Sequence, residues 1–370
     1  MKSKSPLSRM EADDRKFMKI ALRLSRKGLG YTEPNPLVGA VAVKNGRILA
    51  SGYHRAFGAP HAEAMALEHL AVPDSTLYLT LEPCGHFGKT PPCVDLIIAR
   101  KVERVVMAMR DPNPLVDGRG IGKLRGHGIR IHVGLFQDWA ERINRHYLKA
   151  IRTRVPYVSL HAGISLDGKL TDDAGRSRWV TSEEGRRYSH SLRGEFSAIL
   201  AGHGTIVADD PRLELREPGW EGKTLYRVVL DSGNSLPRRL NIFKDQERFP
   251  LIIFSSRDAA DQRKKVPRHF FVRHDANGLV LADVLDQLSK LGIASLLVEG
   301  GGRVLDSFVR ERLFDEMAIF FANKIVGGRN AVQVFASGDH LADALELADC
   351  RWSEFASGAI LRGYRKCSPV

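Results

Sequence analysis

The sequence predicts two α/β domains in one chain, and three observations point that way. The chain has 370 residues, more than a single typical hydrophobic core serves. Short apolar runs rich in β-branched residues alternate with helical periodicity along most of its length. A basic helical stretch, 137–151, ends before Arg154-Val155-Pro156 and a fresh apolar run, which puts a boundary near 151–155 and domains of 1–151 and 152–370.

The elements follow in order. Residues 1–14 are polar and expected to fray. A helix is expected over about 11–28, then strands at 37–44 and 47–53. Gly58 and Pro60 punctuate a loop, after which HAEAMALEHLA, from His61, carries apolar residues at helical spacing. A strand at Thr76–Thr80, a helix from Cys93 to Lys101, a strand at 104–109, a helix near 120–127, a strand at 129–133 and the helix 137–151 complete the first half. In the second half, strands at 157–164, 226–231, 250–254 and 294–298 alternate with helical stretches such as 280–291 and 303–312, while Glu217–Lys223 reads as a loop. The chain shows no internal repeat or low-complexity tract.

Composition narrows the function classes. With 43% hydrophobic and 27% charged residues the chain reads as a soluble protein. No apolar stretch approaches the roughly 18–20 residues that span a bilayer, and charges run through the first thirty residues, unlike a secretory signal. A cytoplasmic location and no membrane partner are expected. Four cysteines do not make a disulfide framework, and Cys350 and Cys367 have no motif around them. The net charge of +13 is scattered over the chain without an RNA-binding motif, so no nucleic-acid partner is expected. A phosphorylated small substrate and a phosphorylated cofactor use only a few of these cations.

One constellation carries chemistry. His61-Ala62-Glu63, then Pro83-Cys84, then Pro92-Cys93 offers an imidazole and two thiolates for Zn²⁺, with an open fourth position for an activated water. Glu63, two residues from His61, is the candidate acid/base that moves protons to a ring nitrogen and a departing amine. Cys93 opens a helix, where the dipole and free amides favour a thiolate. The general deaminase signature has two residues between the cysteines; here Gly85 to Pro92 intervene, so this loop must fold back to bring the thiolates together. Further on, Val298-Glu299-Gly300-Gly301-Gly302-Arg303 joins a strand to a helix, and its glycines would let amides approach a pyrophosphate. It is not G-x-G-x-x-G, so the Rossmann fingerprint is absent.

The segments EPCGHFGKTPPC (82–93), TEPNPLVGAVAV (32–43), GYHRAFGAPHAEA (52–64) and MRDPNPLVDGRG (109–120) closely resemble the bifunctional riboflavin-biosynthesis deaminase-reductases. SLDGKL (165–170), SRWVTS (177–182), TIVADDPRLELR (205–216), VVLDS (228–232) and LVEGGGR (297–303) resemble the reductase half of that family in the same order.

The resemblance implies an N-terminal cytidine-deaminase-like three-layer domain and a C-terminal dihydrofolate-reductase-like domain, using Zn²⁺ and NADPH. It carries over His61, Cys84 and Cys93 as ligands and Glu63 as proton shuttle. It gives Asn35, His54, His86 and Lys89 as residues facing the pyrimidine substrate. For the cofactor it gives Ile164, Trp179, Thr205, Asp209, Ser232 and the segment Gly301, Gly302, Arg303, Val304, Leu305, Asp306, Ser307. For the reductase substrate it gives Ser177, Arg193, Leu213, Arg216 and Glu299, the two arginines making sense as phosphate clamps. Two positions depart from the family: His161 stands where a lysine is usual, and Asn323 where a proline is usual before Lys324. A homo-oligomer, dimer or tetramer, is expected. The rival reading is a monofunctional deaminase, of a nucleoside, RNA or the same pyrimidine, with a C-terminal domain that does not reduce.

Overall fold

The computed structural model describes the chain except residues 1–5, 70, 86, 88–90, 178, 260–267, 336–343, 356 and 367–370. It divides into two compact units, one running to Thr153 and one beginning at Arg154.

In the first unit the chain runs α1 (Pro6–Ser25), β1 (Gly39–Lys44), β2 (Arg47–Tyr53), α2 (Ala62–Leu67), β3 (Thr76–Leu79), α3 (Cys93–Ala99), β4 (Arg104–Met107), α4 (Arg119–Gly126), β5 (Arg130–Val133), α5 (Gln137–Ile143) and α6 (Arg145–Thr153). The strands form one sheet in the order β2-β1-β3-β4-β5, with β1 antiparallel to both neighbours and β3, β4 and β5 parallel. Strand periodicity builds the layers. Ala40, Ala42, Leu77, Leu79, Val105 and Met107 pack against α2, α3 and α4. Their alternates Val41, Val43, Tyr78 and Val106 pack against α1, α5 and α6. The result is the expected three-layer arrangement. Gly52 lets α2 press on β2, since a Cβ there would lie 2.5 Å from the Ala62 carbonyl oxygen.

Two expectations needed correction here. Residues 6–14, read as fraying, belong to α1. Their anchor is Asp14, buried under a bond from the Tyr78 hydroxyl (2.7 Å) and a two-pronged ion pair with Arg104 (2.8 and 2.5 Å). The helix expected over 137–151 is two helices, broken at Asn144. The Asn144 side chain clamps the Leu37 backbone, accepting from its amide at 2.7 Å and donating to its carbonyl at 3.1 Å. That clamp fixes the chain two residues after Asn35.

The second unit runs β6 (Tyr157–Ile164), α7 (Glu183–Arg193), β7 (Ala198–Gly202), α8 (His203–Asp209), β8 (Tyr226–Leu230), β9 (Leu251–Ser256), β10 (His269–Val272), the short pair β11 (His274–Asp275) and β12 (Gly278–Leu279), α9 (Leu281–Lys290), β13 (Ser295–Val298), α10 (Gly302–Arg310), β14 (Glu316–Ala322), β15 (Leu347–Phe355) and β16 (Gly358–Arg365). Its main sheet has the order β10-β9-β8-β7-β13-β6-β14-β16-β15. It is parallel from β10 to β14, and β16 and β15 close it antiparallel.

Both faces of the parallel part are covered. One core joins Leu160, Leu200, Leu296 and Val298 to α9 and α10, and the other joins Ile199, Ala201 and Val229 to Ile206 of α8. Strands buried on both faces read as unbroken apolar runs rather than alternating ones. The elements not anticipated are α7, β7, α8, β10, the short pair β11–β12, β14 and the closing pair β15–β16. The α7 sequence, EEGRRYSHSLR, is almost wholly polar, so periodicity could not reveal it. The polar stretch Glu217–Lys223 is a loop, as expected.

Candidate active sites

In the first unit the metal-ligand candidates meet although the chain separates them. His61 sits immediately before α2, Cys84 in the loop after β3, and Cys93 at the first position of α3. Their ligand atoms all lie within 4.8 Å of one another. His61 Nδ1 is 3.2 Å from Cys93 Sγ and 3.6 Å from Cys84 Sγ. Zinc bonds to sulfur and nitrogen at tetrahedral angles separate those donors by about 3.6 Å, so the set fits the ion. The intervening loop does fold back, with the Cys93 amide donating to Cys84 Sγ at 3.4 Å. The hydrogen bond from Cys93 draws the Cys84 thiol down to about 4, against its burial and with the help of His61, while Cys93 is pushed up.

Glu63 lies in the first turn of α2, 3% exposed. Burial raises its carboxyl to about 7, the Cys84 charge adding to the rise and His61 opposing it. A cavity of about 330 Å³ opens here, lined by Asn35, His54, His61, Glu63, Cys84 and Asp111 among others.

His54 lines this cavity with both ring nitrogens engaged. Nδ1 lies 3.1 Å from the Pro60 carbonyl oxygen and Nε2 lies 3.2 Å from Asn35 Nδ2. A carbonyl only accepts, so Nδ1 carries the proton and Nε2 accepts from the Asn35 amide. Burial lowers the His54 pKa, against the pull of the Pro60 carbonyl and with the help of the nearby His61. His54 therefore engages the Asn35 amino group, leaving Oδ1 as the acceptor of that side chain. His86 and Lys89 lie outside the described residues.

The cavity has a wall that the sequence reading quoted but did not assign. Asp111, Asn113, Val116 and Tyr147 line it, the first three within MRDPNPLVDGRG. Tyr147 donates to Asp111 Oδ1 at 2.6 Å, and the Asn113 amide donates to the same oxygen at 2.9 Å. Beneath them the buried Glu82 accepts from the amides of Gly118 and Ile121, each at 3.1 Å, and of Asp111 at 3.4 Å. The D-P-N triplet, with short polar side chains between prolines, was the available signal.

In the second unit a smaller cavity of about 190 Å³ is lined by His161, Gly163, Thr181, Ser189, Glu299 and Phe320 among others. Glu299 follows β13 and is gripped by Arg193, from Nε at 2.9 Å and Nη2 at 2.7 Å. Burial favours a neutral Glu299, but the Arg193 charge and the bonds from His161 and Arg193 outweigh it and hold the carboxylate far below its usual range. His161 Nδ1 lies 3.4 Å from Glu299 Oε1. Its Nε2 is buried, with no hydrogen-bond partner among the described residues.

The remaining residues of this site divide. Arg193 also donates Nη1 to the Glu214 carbonyl at 3.1 Å, so its fork faces protein groups rather than standing open as a phosphate clamp. Arg216 is 56% exposed at its side chain, with Nε on Glu214 at 2.9 Å. Ser177 donates to Asp209 at 3.1 Å, and Thr205 Oγ1 accepts from the Gly301 amide at 3.0 Å. Leu213 is buried with φ +49°, a strained position for a branched residue. Ile164 closes β6, Ser232 follows β8 and Trp179 is exposed.

Along the glycine segment Gly302 is buried, Arg303 is exposed and Val304 packs beside the core. Leu305 is in the core, Asp306 pairs with Arg310 at 3.8 Å, and Ser307 donates to the Arg303 carbonyl at 2.9 Å. Strands β7, β13 and β6 run parallel and end on one edge, where ligands of α/β sheets bind. Thr205, Gly301 and the start of α10 at that edge fit a dinucleotide.

Residues 156–361 match the family described as the RibD C-terminal domain, and residues 11–109 match the cytidine and deoxycytidylate deaminase zinc-binding region. The riboflavin biosynthesis protein RibD of Aquifex aeolicus is 42% identical over 85% of this chain and 88% of its own length. The chain belongs to the RibD family. The Escherichia coli RibD is 38% identical over 85% of this chain and 89% of its own. The crystal structure of the Thermotoga maritima deaminase/reductase superposes with a TM-score of 0.84 at 34% identity, covering 96% of this chain and 99% of that one. An Acinetobacter baumannii RibD structure gives 0.86 at 32%, with the same coverage. As a RibD protein the chain is an enzyme with a zinc deaminase domain and a reductase domain. Among the described residues no helix is long and apolar enough to cross a membrane.

Proposed function

We propose that the first unit deaminates 2,5-diamino-6-(5-phosphoribosylamino)pyrimidin-4(3H)-one with water. The second unit then reduces the ribosyl group of the product with NADPH, giving 5-amino-6-(5-phosphoribitylamino)uracil. The observation that carries this reading is the meeting of His61, Cys84 and Cys93 in one ligand cluster, with His61, Cys84 and Glu63 lining one cavity, on a chain whose other unit holds the Arg193–Glu299–His161 cluster.

His61, Cys84 and Cys93 would hold the zinc. When bound, the metal supplies Lewis acidity that lowers the pKa of water toward neutrality. Glu63 takes the first proton that water loses and delivers it to the ring nitrogen, then passes the second proton of the same water to the departing amine. The C–NH₂ bond of the ring is exchanged for C=O, with ammonia released. Burial suits Glu63 to this task because it makes the protonated carboxyl accessible near neutral pH. Asn35 Oδ1, oriented by His54, accepts from a ring N–H or amine and sets the pyrimidine in register.

In the reductase the cofactor supplies the hydride, and the ring-opened sugar receives it at its first carbon. Thr205, Asp209, Trp179 and the first turn of α10 would hold the dinucleotide. Glu299, kept ionised by Arg193, and His161 line the cavity that would take the substrate. Arg216 takes the phosphate. The test is to give zinc-replete enzyme the diaminopyrimidine ribosylamino phosphate and NADPH, following ammonia and NADPH in one sample. Both signals, with ammonia alone when NADPH is omitted, support the reading. Ammonia alone in the presence of NADPH overturns the reductase half, and neither signal overturns both.

A further inference from the structure

Strands β6 and β14 are parallel neighbours, so the loops that follow them, 165–181 and 323–335, leave the same edge of the sheet. The two loops are bonded backbone to backbone along their length. The Leu166 amide donates to the Lys324 carbonyl at 2.7 Å, Leu170 to Val332 at 2.8 Å, and Val334 back to Gly168 at 3.2 Å.

Side chains of the first loop also receive amides of the second. Asp167 accepts from Val326 on Oδ1 at 3.0 Å and from Gly327 on Oδ2 at 2.8 Å. Thr171 Oγ1 accepts from the Val332 amide at 3.1 Å, and Asp173 Oδ1 from the Asn330 amide at 2.7 Å. At the base, buried Ser165 donates its hydroxyl to Asp167 at 2.6 Å while accepting from the Lys169 amide at 2.9 Å. Asp167 is exposed, yet the bond from Ser165, then the two amides, hold its carboxyl well below the usual range. Its donors are one hydroxyl and two amides, so it shapes the loops without ordering a long cationic side chain.

The second loop then meets the glycine run. A Cβ on Gly302 would lie 2.4 Å from the Gln333 carbonyl oxygen and 3.2 Å from Val332 Cγ1, so the first turn of α10 rests directly on that loop. Lys324 Nζ donates to the Trp179 carbonyl at 3.1 Å, tying the same loop to Trp179.

We infer that Asp167 is a positioning residue for the reductase cofactor. It clamps 165–173 to 326–332 as one platform, and that platform sets where the start of α10 and Trp179 meet the dinucleotide. The inference rests on the NADPH reading proposed above.

The test compares wild type with Asp167→Ala and Asp167→Asn in three measurements: amide exchange over 326–327, NADPH affinity by quenching of tryptophan fluorescence, and KM for NADPH. Ammonia release in the same preparations serves as the control for folding. In Asp167→Ala the amides exchange faster and both the NADPH Kd and KM rise roughly tenfold or more, as expected for loss of hydrogen bonds to a charged acceptor. Asp167→Asn, which keeps one carbonyl acceptor, falls between. Turnover at saturating NADPH changes much less than KM, and ammonia release stays at the wild-type rate. Unchanged NADPH affinity despite faster exchange would overturn the inference, as would equal loss of both activities. A wild type that binds and oxidises no NADPH would instead overturn the reductase reading and this inference with it.

Discussion

The two units build their sites in opposite ways. The deaminase site is made of side chains whose types are dictated by chemistry: a metal needs imidazole and thiolate, and a proton shuttle needs a carboxyl. The reductase site is made of backbone and long-range ion pairs. Its central carboxylate, Glu299, is held by an arginine 106 positions away in the chain, and its cofactor edge is formed by the ends of parallel strands. Metal chemistry thus leaves a signature in residue identity, whereas dinucleotide binding leaves one chiefly in shape.

The largest expected effect is on Glu63. Glu63→Gln keeps the shape and the zinc but removes the shuttle, and ammonia release should fall by roughly 10²–10⁴-fold. The NADPH oxidation driven by pre-deaminated substrate should be unaffected. Retention of deamination would break the assignment of roles in the first unit.

Glu299→Gln probes the second unit in the same manner. It leaves Arg193 buried without its counter-charge, and breaking a buried pair costs about 3–5 kcal/mol, so reduction should be lost and thermal unfolding of this unit should come earlier. Deamination measured in the same sample should persist. Arg216→Ala sharpens the phosphate assignment. It should raise the reductase KM for phosphorylated substrate with little change in kcat, and the difference should vanish with the dephosphorylated analogue.

Glu82→Gln puts an amide group where three backbone amides donate. The wall carrying Asp111 and Asn113 should loosen, raising the deaminase KM roughly tenfold while bound zinc, measured by metal analysis, stays at one equivalent per chain.

The smallest effect concerns stability alone. Burial works to raise the Asp14 pKa, but Arg104 and Tyr78 outweigh it, so the folded value lies below the ordinary 3.8. A depressed carboxylate stabilises the fold fully above its ordinary value, and that contribution is lost as pH falls through the folded value. Asp14→Asn should therefore lower the Tm of the first unit at pH 7 and narrow the gap to wild type below pH 3.8. A gap that widened on acidification would contradict the ion pair's role.

How much was legible in the sequence follows from the same contrast. His61, Glu63, Cys84 and Cys93 could be read from type and spacing, and the alternating helices and strands of the first unit from periodicity, while its three layers came from the family resemblance. The break at Asn144 was hidden, because a helical pattern does not reveal that one asparagine has turned aside to hold Leu37. Asp111 and Asn113 stood in a quoted segment, yet only the fold shows which wall they form. In the second unit, α7 is too polar to show an apolar face, and β7 is short and rich in alanine. The Arg193 fork looked available for phosphate until its partner, Glu299, was seen beside it. The His161 position was noted as a departure, but the buried, open Nε2 depends on the packing of β6, β13 and β14.

The central claim is that each chemistry is complete within its own unit, and selective removal of zinc tests it most directly. The enzyme would be stripped with a chelator, then assayed for ammonia release from the diaminopyrimidine and for NADPH oxidation with the already deaminated product. The account predicts that ammonia release disappears and returns on adding Zn²⁺, while NADPH oxidation continues at the holoenzyme rate throughout. Loss of both activities together, or deamination undiminished by zinc removal, would contradict it.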